Sequence, residues 1–137
     1  MARSPEAYVD TSALIAFADR SDSYHPLFRR LFADPPRLMT TSLVVAEGHA
    51  WFLRRYDVHR ALMFLAMIEE MAFLGVAAVG SREVAGASIL LKRYSDQALT
   101  LADAVGLHLM CERKIGLCWS TDFHLGLIGA TLVVNAQ

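Results

Sequence analysis

Glu6-Ala7-Tyr8-Val9-Asp10-Thr11-Ser12-Ala13-Leu14-Ile15-Ala16-Phe17-Ala18-Asp19 carries the fold in outline. Glu6 to Val9 reads as a short strand that stops at the polar triplet Asp10-Thr11-Ser12. An apolar-faced helix from Ser12 to about Asp19 follows directly. A strand that hands over to a helix within two or three residues is the opening of a βαβ unit, and the rest of the chain repeats the pattern.

His25-Pro26 opens a second helix to about Ala33, because proline is tolerated in a first turn, and Pro35-Pro36 ends it. Arg37 to Thr40 is a strand candidate. Thr41-Ser42 offers an N-cap for a helix to about Tyr56, and another helix covers Val58 to about Phe73, stopping near Gly75. Val76 to Val79 has strand length. Ser81 is placed to cap a helix ending near Tyr94, and Thr100 one that reaches about Lys114, with Gly116 as its stop signal. Leu117-Cys118-Trp119 reads as a buried strand, Asp122 to Leu127 as a short helix, and Thr131 to Val134 as a last strand. Alternating strands and helices predict an α/β fold with a mainly parallel sheet covered on both faces. Ligands in such folds gather at the carboxyl ends of the strands. Asp10 and Asp122 each follow a predicted strand.

The 137 residues suit one domain, and no linker, repeat or low-complexity stretch divides them, so a single domain over 1–137 is expected. A hydrophobic fraction of 55% against 20% charged residues supplies a core and excludes a disordered chain. The longest greasy stretch, Ala61 to Gly80, is cut by Glu69 and Glu70 and holds Gly75, so no membrane span and a cytoplasmic protein are expected. Cys111 and Cys118 have neither Cys-x-x-Cys nor zinc spacing and read as buried thiols; the five histidines are scattered. The formal net charge is −1. Setting four acids aside for a metal leaves the rest of the chain with an excess of three positive charges, enough to permit RNA binding through such pairs as Arg54-Arg55.

Four carboxylates stand in otherwise apolar or turn-like surroundings: Asp10, Glu47, Asp103 and Asp122. An ionised carboxylate in such a place is costly unless it is paired or holds a cation. Each of the three aspartates also has a plain structural explanation. Asp10 and Asp122 can cap the helices that follow them, and Asp103 stands three residues after Thr100, as in a capping box. Glu47 lies too far into its helix for that; it is either an exposed helix residue or one that faces a positive partner. Taken alone, the residues point to an acidic site in an α/β domain.

Four segments, in order, then match a known family. Tyr8-Val9-Asp10-Thr11-Ser12-Ala13-Leu14, Thr41-Ser42-Leu43-Val44-Val45-Ala46-Glu47, Leu99-Thr100-Leu101-Ala102-Asp103-Ala104 and Ser120-Thr121-Asp122-Phe123-His124 together resemble the PIN-domain ribonucleases, most closely the toxin half of VapBC-type toxin–antitoxin pairs. The resemblance implies a PIN-like α/β/α sandwich and a metal-dependent endoribonuclease that hydrolyses RNA phosphodiesters with Mg2+ (or Mn2+). It makes Asp10, Glu47, Asp103 and Asp122 the metal-binding and catalytic residues. Thr11, Ser12 and Thr121 are then expected to hold the carboxylates or a phosphate in place through their hydroxyls. It also implies an RNA substrate, a cognate antitoxin protein and a homodimer; Leu62-Met63-Phe64-Leu65 with Met67-Ile68 would offer apolar surface for a partner, or serve for the most part as ordinary helix core. Gly48-His49, directly after Glu47, departs from the family's regular pattern, and Asp19 reads as a surface acid.

Two competing functions remain. A non-catalytic PIN module that binds RNA or a protein partner would not need four acids. A housekeeping RNA-processing nuclease would share the chemistry, but extra domains and strong basic patches are not evident.

Overall fold

In the computed structural model, which describes residues 5 and 7–135, five strands form one sheet in the order β3-β2-β1-β4-β5, with every neighbouring pair parallel. The strands are β1 (Ala7–Val9), β2 (Leu38–Thr41), β3 (Leu74–Ala77), β4 (Leu117–Trp119) and β5 (Thr131–Leu132). Helices α1 (Thr11–Ala18), α2 (His25–Ala33), α3 (Ser42–Arg55), α4 (Val58–Glu70), α5 (Ser81–Arg93) and α6 (Leu101–Glu112) connect them. Short 3-10 helices follow β4 and β5, at Phe123–Gly126 and Val133–Asn135.

The central strand shows why the sheet is covered on both sides. Ala7, Tyr8 and Val9 are all fully buried. Ala7 and Val9 join one core with residues of α1, α2, α3 and α4, while Tyr8 joins the other with residues of α5 and α6. Strand side chains alternate in direction, so a mostly apolar run with no charged member is what a doubly covered strand requires.

Two glycines set the helix positions. A Cβ on Gly106 would come within 2.8 Å of the Tyr8 ring, so α6 lies directly over β1. Asp103 is one helical turn before Gly106, and Asp10 is two residues after Tyr8 on the same side of the strand. The close approach therefore carries one acid over the other. A Cβ on Gly48 would overlap the Phe64 ring, so the glycine that breaks the family pattern is what allows α4 to pack closely on α3.

The predicted elements are present, with shifts that have local causes. Glu6, assigned from sequence to the first strand, lies outside the described residues. The third strand runs over Leu74–Ala77 rather than Val76–Val79, because Gly75 pairs with Met39 inside the ladder and does not stop the preceding helix. Gly80, not Ser81, is the N-cap of α5, and its N–H donates to Glu83 Oε1 at 2.7 Å. Helix α6 ends at Glu112, and the left-handed residue after it is Lys114 (φ 56°), so Gly116 is not the stop. The last predicted strand is cut to two residues by the 3-10 turn at Val133.

Asp19 is not a surface acid. It is 5% exposed, accepts from Ser21 N–H and Oγ, and takes the Tyr56 hydroxyl at 3.1 and 3.0 Å on its two oxygens. Of the two cysteines Cys118 is buried and Cys111 exposed. Among the described residues no helix is long and apolar enough to cross a membrane.

Candidate active site

The order of the strands places a switch point at β1: β2 and β3 lie on one side of it, β4 and β5 on the other. The crevice outside the carboxyl ends of such strands is where this architecture opens. A cleft of about 390 Å³ lies there, lined by Asp10, Glu47, Asp103 and Asp122 together with Thr11 and Ser12. The structure therefore gathers four acids that are far apart in sequence.

Three of them do two things at once. Asp10 is the N-cap of α1; its Oδ2 accepts Ser12 N–H at 3.3 Å, Ser12 Oγ at 2.8 Å and Ser120 Oγ at 3.0 Å. Asp103 closes a capping box: its Oδ2 accepts Thr100 N–H and its own N–H donates to Thr100 Oγ1, both at 3.1 Å. Asp122 caps the 3-10 helix by accepting His124 N–H at 3.0 Å. The capping explanation and the cleft location are thus compatible. Each cap uses one carboxylate oxygen and, among the described residues, leaves Asp10 Oδ1, Asp103 Oδ1 and Asp122 Oδ2 without a protein hydrogen bond. Helix N-termini also ease the crowding of negative charge through their dipoles.

Glu47 sits in the second turn of α3, half-buried, and is held by Thr11 Oγ1 at 2.7 Å. Burial pushes its carboxyl above the ordinary range. The Thr11 hydrogen bond opposes that shift, and the charges of Asp10, Asp103 and Asp122 add to it. Burial likewise raises Asp10, with Ser12 and Ser120 opposing and Asp103 adding. Among the described residues no lysine or arginine forms an ion pair with any of the four. The cleft is a concentration of like charge whose basic lining residue, Arg54, forms no ion pair with the acids among the described residues.

One residue that the sequence did not single out belongs to this arrangement. Ser120 is fully buried; besides Asp10 it contacts Ser12 Oγ at 3.2 Å and accepts Asp122 N–H at 2.9 Å, tying the ends of β1 and β4 together. Thr121, expected to contribute its hydroxyl, contributes its backbone N–H to Ser12 Oγ at 3.0 Å. The signal for Ser120 was its place directly after β4. His124 stands with Nδ1 2.9 Å from Asp122 Oδ1, and Asp103, Asp122 and His124 each offer a ligand atom within 4.8 Å of the others. Its place directly after the Thr121-Asp122 turn admits two readings from sequence, a phosphate contact or a surface histidine.

The family model for the PIN domain matches residues 7–127, a span that includes all four acids. The chain belongs to the PIN domain family. Among solved structures this PIN domain is similar to VapC20 of Mycobacterium tuberculosis, described as a sarcin-ricin loop cleaving toxin. The TM-score is 0.83 at 25% identity, over 91% of this chain and 96% of that one. It is also similar to a toxin–antitoxin complex from Klebsiella pneumoniae, with a TM-score of 0.62 at 15% identity over 92% of this chain and 94% of that one, a likeness of fold alone. No curated protein matches the sequence. The PIN fold here is VapC-like, in agreement with the resemblance carried by the four sequence segments.

Proposed function

We propose that this PIN domain is a metal-dependent endoribonuclease and the toxin of a toxin–antitoxin pair, with Asp10, Glu47, Asp103 and Asp122 as its metal-binding residues. The observation that carries this is the convergence of four carboxylates, none paired with a lysine or arginine among the described residues, at the switch point of the sheet. Kinship with a toxin that cleaves the sarcin-ricin loop supports RNA as the substrate class.

The donor set fits a hard cation. Carboxylate oxygens that no protein donor occupies suit magnesium or manganese, which prefer oxygen ligands and keep several waters. Without a cation the four acids would repel a phosphodiester. Bound there, the metal would supply Lewis-acid stabilisation of phosphate charge and a water of lowered pKa. The protein's part is positional. Ser12 and Ser120 fix the Asp10 carboxylate, Thr11 fixes Glu47, and the Thr100 N–H fixes Asp103. His124, with Nδ1 against Asp122, keeps Nε2 as the ring nitrogen available to a phosphate oxygen.

The toxin reading brings a cognate antitoxin and a homodimer, acting in the cytoplasm where RNA is available. In the apolar run of α4, Phe64 and Ile68 are core, whereas Leu62 and Met63 are 56% and 53% exposed and supply apolar surface for a partner. The test is to strip the protein of metal and incubate it with total RNA, with and without magnesium or manganese, beside an Asp10→Asn variant. Cleavage that needs metal and is lost in the variant is expected. Absence of both cleavage and metal binding would overturn the catalytic reading.

A further inference from the structure

Beyond Glu47, the α3 wall of the acidic cleft carries residues that the metal-binding role does not use. Glu47, Ala50, Trp51 and Arg54 all line the cleft, and their spacing of three, four and seven residues puts them on one face of α3. Ala50 is small and keeps the space between the acids and the ring open. Trp51 is half-buried, braced edge-on by Phe52 (centroids 4.9 Å, 82°) and Tyr56 (6.2 Å, 69°), and it faces the cleft. Neighbouring arginines are occupied: Arg55 lies over the Tyr56 ring, and Arg60 over Tyr56 at 4.2 Å and Phe52 at 5.7 Å. Arg54 is exposed, lines the cleft, and has no ion pair or aromatic stack among the described residues.

We propose that Trp51 and Arg54 form a nucleotide subsite beside the four acids, in which the indole stacks on one unpaired base and the guanidinium binds the phosphate next to the one cleaved. The proposal rests on the nuclease reading of the acids and adds residues that select the substrate. A braced aromatic ring followed by a free arginine is the pairing by which proteins hold single-stranded nucleic acid, since every base has a face to stack and every linkage a charge to bind. Glu47 and Arg54 are separated by about 10 Å along the helix axis. A strand whose scissile phosphate lies at the acids therefore passes Trp51 with an adjoining nucleotide. A paired base cannot present its face, so the subsite favours loops and single strands over duplex.

The chain's two tryptophans permit a direct readout. Trp119 is 2% exposed, so quenching of indole emission by a stacked base reports on Trp51. A mixed-sequence 12-nucleotide RNA strand and the matching blunt duplex are added to the full chain, emission is read by stopped flow before turnover, and cleavage of total RNA is timed in manganese. The single strand is expected to quench more than the duplex, and the signal is expected to vanish in Trp51→Phe. Trp51→Ala is expected to lower kcat/KM by about ten- to a hundredfold, with Trp51→Phe keeping most of it. Arg54→Ala is expected to lower kcat/KM and to flatten the log–log salt dependence by roughly one unit. If Trp51→Ala unfolds, Trp51→Phe and Arg54→Ala still decide the matter through quenching and salt slope. A wild type that cleaves RNA, with no quenching and with Arg54→Ala unchanged, overturns the subsite and leaves the nuclease standing. A wild type that shows the strand-selective quench but neither cleaves RNA nor binds manganese supports base stacking at Trp51 and overturns the nuclease reading instead.

Discussion

Replacing Asp10 by asparagine is expected to raise the stability of the metal-free protein while removing its activity. The structure gives the reason. All three donors to Asp10, from Ser12 and Ser120, fall on Oδ2, so an asparagine with its carbonyl oxygen there keeps every hydrogen bond and still caps α1. What it loses is a buried negative charge facing Asp103 and Glu47. A like charge 4 Å away is worth about 4 kcal/mol at an effective dielectric near 20, an upper bound for a cleft open to solvent. Screening at the partly exposed Glu47 and Asp122 brings the expected gain to about 1–2 kcal/mol, or about 3–8 °C in Tm. The sign with pH follows from the direction of the shift. The folded Asp10 carboxyl is raised above its ordinary 3.8, so its protonated form is favoured by folding. That favourable contribution is fully present below the unfolded value and is lost as pH rises through the folded one. Thermal unfolding in chelator is therefore expected to show the variant above the wild type at pH 7.5, with the two converging near pH 3.5. A variant that melts lower at pH 7.5 would refute the reasoning, because Asp10 would then be a structural cap that tolerates its charge.

Ser120→Ala leaves Asp10 with one donor fewer and orphans the Asp122 N–H; a loss of about 1–3 kcal/mol in denaturant titration and about ten- to a hundredfold in RNA cleavage is expected. Gly48→Ala drives a methyl into the Phe64 ring and is expected to cost about 1–3 kcal/mol, partly recovered in the double variant with Phe64→Leu. Tyr56→Phe removes the hydroxyl that spans both Asp19 oxygens, at about 1 kcal/mol. Burial opposes ionisation of Asp19, but Ser21 and Tyr56 outweigh it and hold the carboxyl low, so their contribution is present above the unfolded value and fades as pH falls through the folded one. The Tyr56→Phe deficit is therefore expected at pH 7 and to vanish in acid unfolding curves.

Much of this was legible because it is local. Short apolar runs ending in Asp10 or in Ser120-Thr121-Asp122 announce strand ends, and Thr41 and Thr100 announce helix starts. Four acids in family order stood out against apolar neighbours. What sequence concealed depends on contacts between distant segments. Gly48 looked like an irregularity until Phe64, sixteen positions on, filled the space that a Cβ would take. Ser120 looked like a turn residue until burial made it the hydroxyl that joins β1 to β4. Asp19 looked exposed because its partner Tyr56 comes from the end of another helix. His124 needed α6 and the turn after β4 to be brought together before it stood near Asp103.

Calorimetric titration of the metal-free protein with manganese, repeated on Asp10→Asn, Glu47→Gln, Asp103→Asn and Asp122→Asn, goes to the acidic cleft itself. Saturable binding by the wild type, weakened at least tenfold by each substitution while the fold is kept, is the expected result. Binding that all four variants retain unchanged, or a wild type that binds no divalent cation, would contradict the assignment of these carboxylates to a metal.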